Sequence, residues 1–348
     1  MTKPISRPAG MLLITCSVAL IFVLTCSLPG CKSHHKQQAR IATPVMRPPP
    51  GTLTESQQER LTEAQSAKSE GNYDTALSMF QEILAENPTV TTAYLGIGDI
   101  YMVKKDYDKA EPAFGRAAKL EPRNFDAQYG WGLALQMLNR FVEAVRAYQR
   151  ALTINPDSVN ANLNLATTYL QMNEPQSAVT FAEKAVQLEP GNGSARVNLG
   201  AAYEKVGRDS DAVTQYTAAL ELVKDTAPVM FNLINVLARE KRYQEAANTA
   251  EQLVKIDPTA NAYERLGWCY FRLSDFGKSM DAYKEAVRID ENHWPSYNGI
   301  GVNAINTWLL SKKQDNAAKK EAREAFRKSL RINNDQPKLI TLMSNYGL

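Results

Sequence analysis

The chain has 348 residues, 44% of them hydrophobic, with 40 basic and 37 acidic side chains for a formal net charge of +3. That length and apolar content allow a continuous core. The near-neutral balance, which falls to an excess of one basic residue once Lys3 and Arg7 are set aside, argues against nucleic acid as the main partner, because that footprint needs clustered positive charge.

The N-terminal stretch is a separate object. Lys3 and Arg7, with no acidic residue beside them, precede an apolar run over residues 11–28, and the pattern reads as a secretory signal. Its end, Leu28-Pro29-Gly30-Cys31, resembles the lipobox of bacterial lipoproteins, in which a signal peptidase cuts before a cysteine that then carries lipid; Leu28, Gly30 and Cys31 fit, and Pro29 departs. The resemblance implies that residues 1–30 are a leader and that Cys31 is lipidated. An uncleaved signal anchor is the alternative, since 18 apolar residues stand at the lower limit of a bilayer span. Either way the rest of the chain is expected outside the cytoplasm and tied to a membrane. Lys32 in place of an aspartate implies, by the same resemblance, delivery to the outer membrane. Cys16 and Cys26 fall in the leader and Cys31 would be lipidated, so Cys269 is left without a disulfide partner and reads as a small core residue.

Residues 31–54 show no helical period after Cys31 and contain four prolines with Gly51, the composition of a semi-extended tether. His34 and His35 lie in this segment with no further ligand, and two adjacent histidines do not make a metal site.

From residue 55 onward one unit recurs, and its clearest copy starts at Thr91. With Thr91 as position 1, Tyr94, Ile97, Gly98 and Tyr101 fall at 4, 7, 8 and 11, and Ala110, Phe114, Ala117 and Pro122 at 20, 24, 27 and 32. The first set makes an apolar stripe on one helix and the second a stripe on another, with small Gly98 and Ala110 where the backbones must approach. These spacings resemble the tetratricopeptide repeat, a helix-turn-helix unit of 34 residues. Seven copies keep the register. The first, with Gly71, Ala76, Phe80 and Pro88, carries Arg60 and Glu63 where apolar residues belong, as an end cap should. The seventh has Ser279 in place of the packing alanine. In the eighth, Tyr297, Ile300 and Gly301 are in register but Ala322 and Phe326 come nine residues late. Its first helix is therefore expected to continue through Trp308, Leu309 and Leu310 to a charged turn at 312–316. Residues 337–348, with Leu339, Ile340, Leu342 and Met343, read as a capping helix. The expected fold is an all-α, right-handed superhelical solenoid of about eight units over 55–336, capped at 337–348. Trp308 and its neighbours either pack on that cap or form an apolar patch for self-association.

No enzyme is expected. His34, His35 and His293 are the only histidines, no Ser-His-Asp or Cys-His arrangement can be placed, and no glycine-rich phosphate loop follows a strand, so no cofactor or metal is expected either. The resemblance implies instead that the first helices line a concave groove with positions 2, 5, 6, 9, 12 and 13. Tyr129 takes position 5 of the third copy. Asn164, Asn198 and Asn232 take position 6 of the fourth to sixth, and Arg265 that of the seventh. The row resembles the asparagine ladder in the repeat domain of O-linked N-acetylglucosamine transferases, which holds an extended peptide; a side-chain amide both donates and accepts, so it pairs with any peptide group. The plain alternative is that asparagine is common at this position. Arg239, Arg265 and Arg272 with Trp268 partly resemble the carboxylate clamp of chaperone-adaptor repeats, from which Asn261, Val197 and Ala201 depart. They imply a preference for acidic or carboxylate-bearing extended peptides, unless the arginines merely pair with Glu204 or Glu264. The reading is a membrane-tethered, non-enzymatic scaffold of the bacterial cell envelope that binds other envelope proteins. It resembles tetratricopeptide lipoproteins that act as adaptors in pilus assembly, for peptidoglycan hydrolases or in outer-membrane biogenesis. The alternative is a regulatory or targeting subunit of a separately encoded glycan-handling enzyme.

Overall fold

The computed structural model describes residues 53–348, which form seventeen helices with no strand among them. They come in pairs. The array opens with α1 (Glu55–Ser69) and α2 (Tyr73–Glu86), then α3 (Thr91–Val103) with α4 (Tyr107–Leu120) and α5 (Phe125–Met137) with α6 (Phe141–Ile154). Next come α7 (Val159–Gln171) with α8 (Pro175–Leu188), α9 (Gly193–Lys205) with α10 (Asp209–Leu220), and α11 (Ala227–Arg239) with α12 (Tyr243–Ile256). The pair α13 (Ala260–Arg272) and α14 (Phe276–Ile289), the pair α15 (Trp294–Leu310) and α16 (Asn316–Ile332), and single α17 (Pro337–Tyr346) complete it.

Local chemistry sets these ends. Asn124, Ser158, Asn192 and Thr259 each accept a hydrogen bond from the backbone N–H three residues on, so a first helix starts after each. Thr54 and Gln57 form a reciprocal capping box at α1. The turn inside each of the first seven repeats puts position 15 at positive φ, at Gly71, Lys105, Asn139, Asn173, Gly207, Lys241 and Ser274. The next N–H then reaches back five residues, as Asp106 does to Tyr101 and Arg242 to Leu237, each at 2.9 Å, and closes the first helix. Pro88, Pro122, Pro156, Pro190 and Pro258 stand two residues past the second helices and forbid continuation.

Packing follows from small residues opposite large ones. Ala76, Ala110, Ala144, Ala178, Ala212 and Ala246 at position 20 are fully buried. A Cβ on Gly98 would lie 2.7 Å from the Phe114 ring, so that approach requires glycine. Phe80, Tyr148 and Tyr216 fill position 24 with no exposed surface, and burying each such ring stabilises by about 1.5–3 kcal/mol. Ser279 is tolerated at the seventh alanine position because its hydroxyl is satisfied: it donates to the Gly267 carbonyl at 2.7 Å and accepts from Asn303 Nδ2 at 2.9 Å. Neighbouring repeats are also stapled by tyrosines at position 11. Tyr203 donates to Glu183 at 2.7 Å and Tyr270 to Glu251 at 2.6 Å, while Tyr169 accepts from Gln149 at 3.1 Å.

Successive first helices touch one another along the array, from α1 on α3 to α13 on α15, whereas successive second helices make no comparable contact. The first helices therefore crowd on the inside of the curve, and their free faces line its concave surface.

The eighth repeat distributes its nine extra residues over both helices. Four lengthen α15, three lengthen α16 and two widen the turn, relative to the 13- and 14-residue helices of the second repeat. The first helix runs to Leu310 as expected, but the second starts at Asn316, six residues ahead of Ala322. Trp308 is buried, edge-on to Tyr346 at 6.4 Å, and its Nε1–H donates to the Lys313 carbonyl at 3.1 Å. Leu339, Leu342 and Met343 of α17 cover Ala304, Ile305 and Phe326, whereas Ile340, expected to share that work, is largely exposed. Cys269 is fully buried, and burial pushes its thiol up to about 12, which leaves it inert as a nucleophile. The leader, the tether, Cys31 and the His34–His35 pair lie outside the described residues, among which no helix is long and apolar enough to cross a membrane.

Candidate functional site

The inner face changes character along its length. At the N-terminal end Leu95, Met102 and Val103 of α3 and Tyr129 and Leu133 of α5 surround a depression of about 590 Å³ floored by Phe114. Gly96 and Gly130 occupy position 6 here, and a Cβ on Gly130 would lie 2.5 Å from the Phe114 ring, so glycine leaves that ring as the floor. Val103 and Met137 stand exposed beside it, which leaves an apolar surface without an intramolecular partner. Lys68 and Asp99 at its edge form a 2.6 Å ion pair.

Tyr129 joins this end to the middle. Its ring stacks on Phe125 at 5.6 Å, and its hydroxyl accepts from Asn164 Nδ2 at 2.9 Å. Burial raises its phenol above the ordinary value, with the Asn164 bond pulling the other way. Asn198 donates its Nδ2 to Thr167 Oγ1 at 2.6 Å. Asn164 and Asn198 therefore each commit one amide N–H inside the protein and keep the second N–H and the carbonyl oxygen. The Asn232 side chain makes no hydrogen bond among the described residues, so both halves of its amide remain for a ligand.

Towards the C-terminal end the arginines separate in role. Arg239 grips Asp209 with two bonds of 3.0 and 3.1 Å and donates to Glu204 at 3.0 Å, contacts that hold its guanidinium above its ordinary pKa. Arg265 lies 3.6 Å from Glu264. Arg272 has no carboxylate partner among the described residues. Its guanidinium sits 4.5 Å over the Tyr243 ring and 5.6 Å from the Trp268 ring, and donates to the Tyr243 hydroxyl. Tyr243 and Trp268 meet edge-on at 6.0 Å. The structure thus brings Trp268 and Arg272 together, gives Arg265 to Glu264, and gives Arg239 to the acids of α9 and α10. Tyr243, which the first-helix pattern did not point to, holds Arg272 in place. It opens α12, twenty-nine residues before Arg272, so only the offset between one repeat's second helix and the next repeat's first could have flagged it.

Burial raises the Glu264 carboxyl above the ordinary carboxylate range, and Arg265 pulls it down by less. The groove therefore offers amide donors and acceptors in the middle, a cation seated on aromatic faces at one end, and apolar surface at the other. These are groups that suit recognition of a polypeptide segment.

The sequence matches the tetratricopeptide repeat pattern over residues 67–136 and 135–183, and again over 163–228, 202–261 and 231–293. No curated protein matches the chain. Among solved structures it resembles the C-terminal part of a TPR repeat-containing protein from Cytophaga hutchinsonii, 17% identical with a TM-score of 0.58 over 69% of this chain and 98% of that one. It also resembles a tetratricopeptide repeat protein from Parabacteroides merdae, 13% identical with a TM-score of 0.51 over 78% of this chain and 99% of that one. Pseudomonas aeruginosa PilF is similar at 19% identity and a TM-score of 0.50, over 59% of this chain and 93% of that one. At these identities the likeness is one of fold. Repeat matches that run without a gap from residue 67 to 293, on a ladder of paired helices, carry the family assignment: the chain belongs to the tetratricopeptide repeat family and is a protein-interaction scaffold.

Proposed function

We propose that the protein is a membrane-tethered, non-enzymatic scaffold of the bacterial cell envelope that holds extended segments of partner proteins in its inner groove. The observation that carries the groove reading is Asn232, whose amide has no partner in the fold although it lies in the row continued by Asn164 and Asn198. An unpaired amide beside apolar and cationic surface suits a polypeptide backbone whose side chains alternate to either hand. The lipobox-like Leu28-Pro29-Gly30-Cys31 supports the tether. Capture from detergent-solubilised envelope, with Asn232→Ala and Trp268→Ala variants in parallel, tests the groove: a protein retained by the native chain and released by both variants is expected. Retention unaffected by either change would remove the groove from the reading. Intact-mass analysis tests the tether, which predicts a chain that starts at Cys31 with added acyl mass; a native chain still carrying residues 1–30 favours the signal anchor.

A further inference from the structure

We propose that the C-terminal end of the groove contains a pocket for the guanidinium group of an arginine in a bound partner segment. The proposal deepens the groove reading and rests on it. Trp268 and Phe271 of α13, Tyr283 of α14 and Trp294 of α15 wall a pocket of about 370 Å³, into whose lining Glu264 and Asn298 also enter. Both polar groups are acceptors without donors. The Glu264 side chain is only 18% exposed, makes no hydrogen bond among the described residues, and has Arg265 at 3.6 Å, beyond hydrogen-bond reach. A carboxylate so placed is costly unless a cation with N–H groups meets it.

Asn298 leads to the same conclusion. Gln336 commits its amide nitrogen to Ser329 Oγ at 2.9 Å and the Asn333 carbonyl at 2.8 Å, so its oxygen must be the acceptor for Asn298 Nδ2 at 2.7 Å. That fixes the amide orientation and leaves Asn298 Oδ1 buried with no donor. Gly299 at position 6 of the eighth repeat also lines the pocket, and a Cβ there would lie 2.3 Å from the Tyr283 ring, so glycine is what lets that ring wall it. Trp294 at the rim is 36% exposed and offers an unpartnered aromatic face. Arg272, already seated on Tyr243 and Trp268, does not reach the acid. Arg265 stands beside Glu264 as an ion pair without a hydrogen bond, so what the pocket lacks is a group whose N–H donors reach its acceptors. A guanidinium supplies that: its edge donates to the Glu264 carboxylate while its faces stack on indole and phenyl rings. An ammonium group has the charge but neither the flat face nor the fork.

The test is a titration of the full chain with Nα-acetyl-arginine amide, followed by tryptophan fluorescence, beside the neutral isostere Nα-acetyl-citrulline amide and Nα-acetyl-lysine amide. Saturable binding of the arginine probe is expected, with citrulline and lysine weaker by roughly tenfold or more. Glu264→Gln, which keeps the shape and removes the charge, should cost a similar factor, and Trp294→Ala should weaken all the probes. Equal binding of arginine and citrulline, equal binding of lysine, or no saturable response to arginine would each overturn the proposal. Should Glu264→Gln fail to fold, the citrulline comparison on the native chain decides alone. The probe has no extended backbone, so a negative result beside successful partner capture defeats the pocket only. Binding of the probe with no partner captured defeats the groove reading and leaves the pocket.

Discussion

Position 15 carries lysine in the second and sixth repeats, asparagine in the third and fourth and serine in the seventh, all with φ between 58° and 64°. The left-handed region costs a side chain about 1–2 kcal/mol, of which asparagine recovers part by local hydrogen bonding. Glycine escapes that cost but loses about 0.5–1 kcal/mol through the freedom of the unfolded chain. Ser274→Gly and Lys241→Gly should therefore each stabilise by about 0.5–1 kcal/mol, with a smaller gain at Asn139 and Asn173; urea midpoints at unchanged slope measure it. Glu264 gives a second prediction, this one dependent on pH. Its folded-state pKa is raised, so its contribution to stability is most favourable below the unfolded carboxylate value and is lost as pH rises through the folded one. At neutral pH Glu264→Gln should be neutral to stabilising, and the difference from the native chain should disappear as pH falls below the ordinary carboxylate range. A variant less stable at pH 7 than at pH 4, relative to native, contradicts this. The roles of single residues were the least legible part of the sequence. Asn164, Asn198 and Asn232 are equivalent in the repeat, yet their partners depend on what position 5 or 9 of the preceding repeat happens to carry: Tyr129, Thr167 or nothing.

At the scale of elements the sequence was far more readable, because the alanines and aromatics of positions 20, 24 and 27 must meet glycine or small residues on the partner helix, and that complementarity repeats. The nine-residue excess in the eighth repeat was legible as a length but not as a partition. A second helix can grow at its N-terminus without moving its core positions, and Ala318, buried one turn ahead of Ala322, shows that it did. Trp308 owes its burial to that growth. The lengthened helices meet at the Lys312–Lys313 turn, where both residues have positive φ, and the indole is closed in by the Lys313 carbonyl and Tyr346. Truncating a buried indole costs about 3–5 kcal/mol, so Trp308→Ala should lower the melting temperature clearly while leaving the sedimentation coefficient unchanged. A change in sedimentation with melting intact would mean instead that this region is an interface between copies.

Across the whole molecule, an array of units that touch only their neighbours lets one end of the groove be altered without unfolding the other, so binding and stability separate by position. The ladder of paired helices, with its first helices in contact along one side, was legible because it belongs to the repeat. The division of the arginines was not, because it depends on acids contributed by neighbouring helices. That division makes the last prediction. Arg239 is held by Asp209 and Glu204, and a ligand carboxylate would have to displace both. Arg272 has aromatic faces beneath it and no carboxylate partner among the described residues, so its charge remains for an acidic segment. For a partner captured through the groove, Arg272→Ala should weaken binding by about 1.5–3 kcal/mol for each charged hydrogen bond lost and should flatten the dependence of affinity on salt. Arg239→Ala should leave affinity nearly unchanged and alter stability by less than about 1 kcal/mol, since its pairs are exposed. Isothermal titrations of both variants at low and high salt distinguish the two roles. If Arg239→Ala weakens binding as much as Arg272→Ala does, the ion pairs to Asp209 and Glu204 open on binding and the groove's cationic site is larger than Arg272 alone.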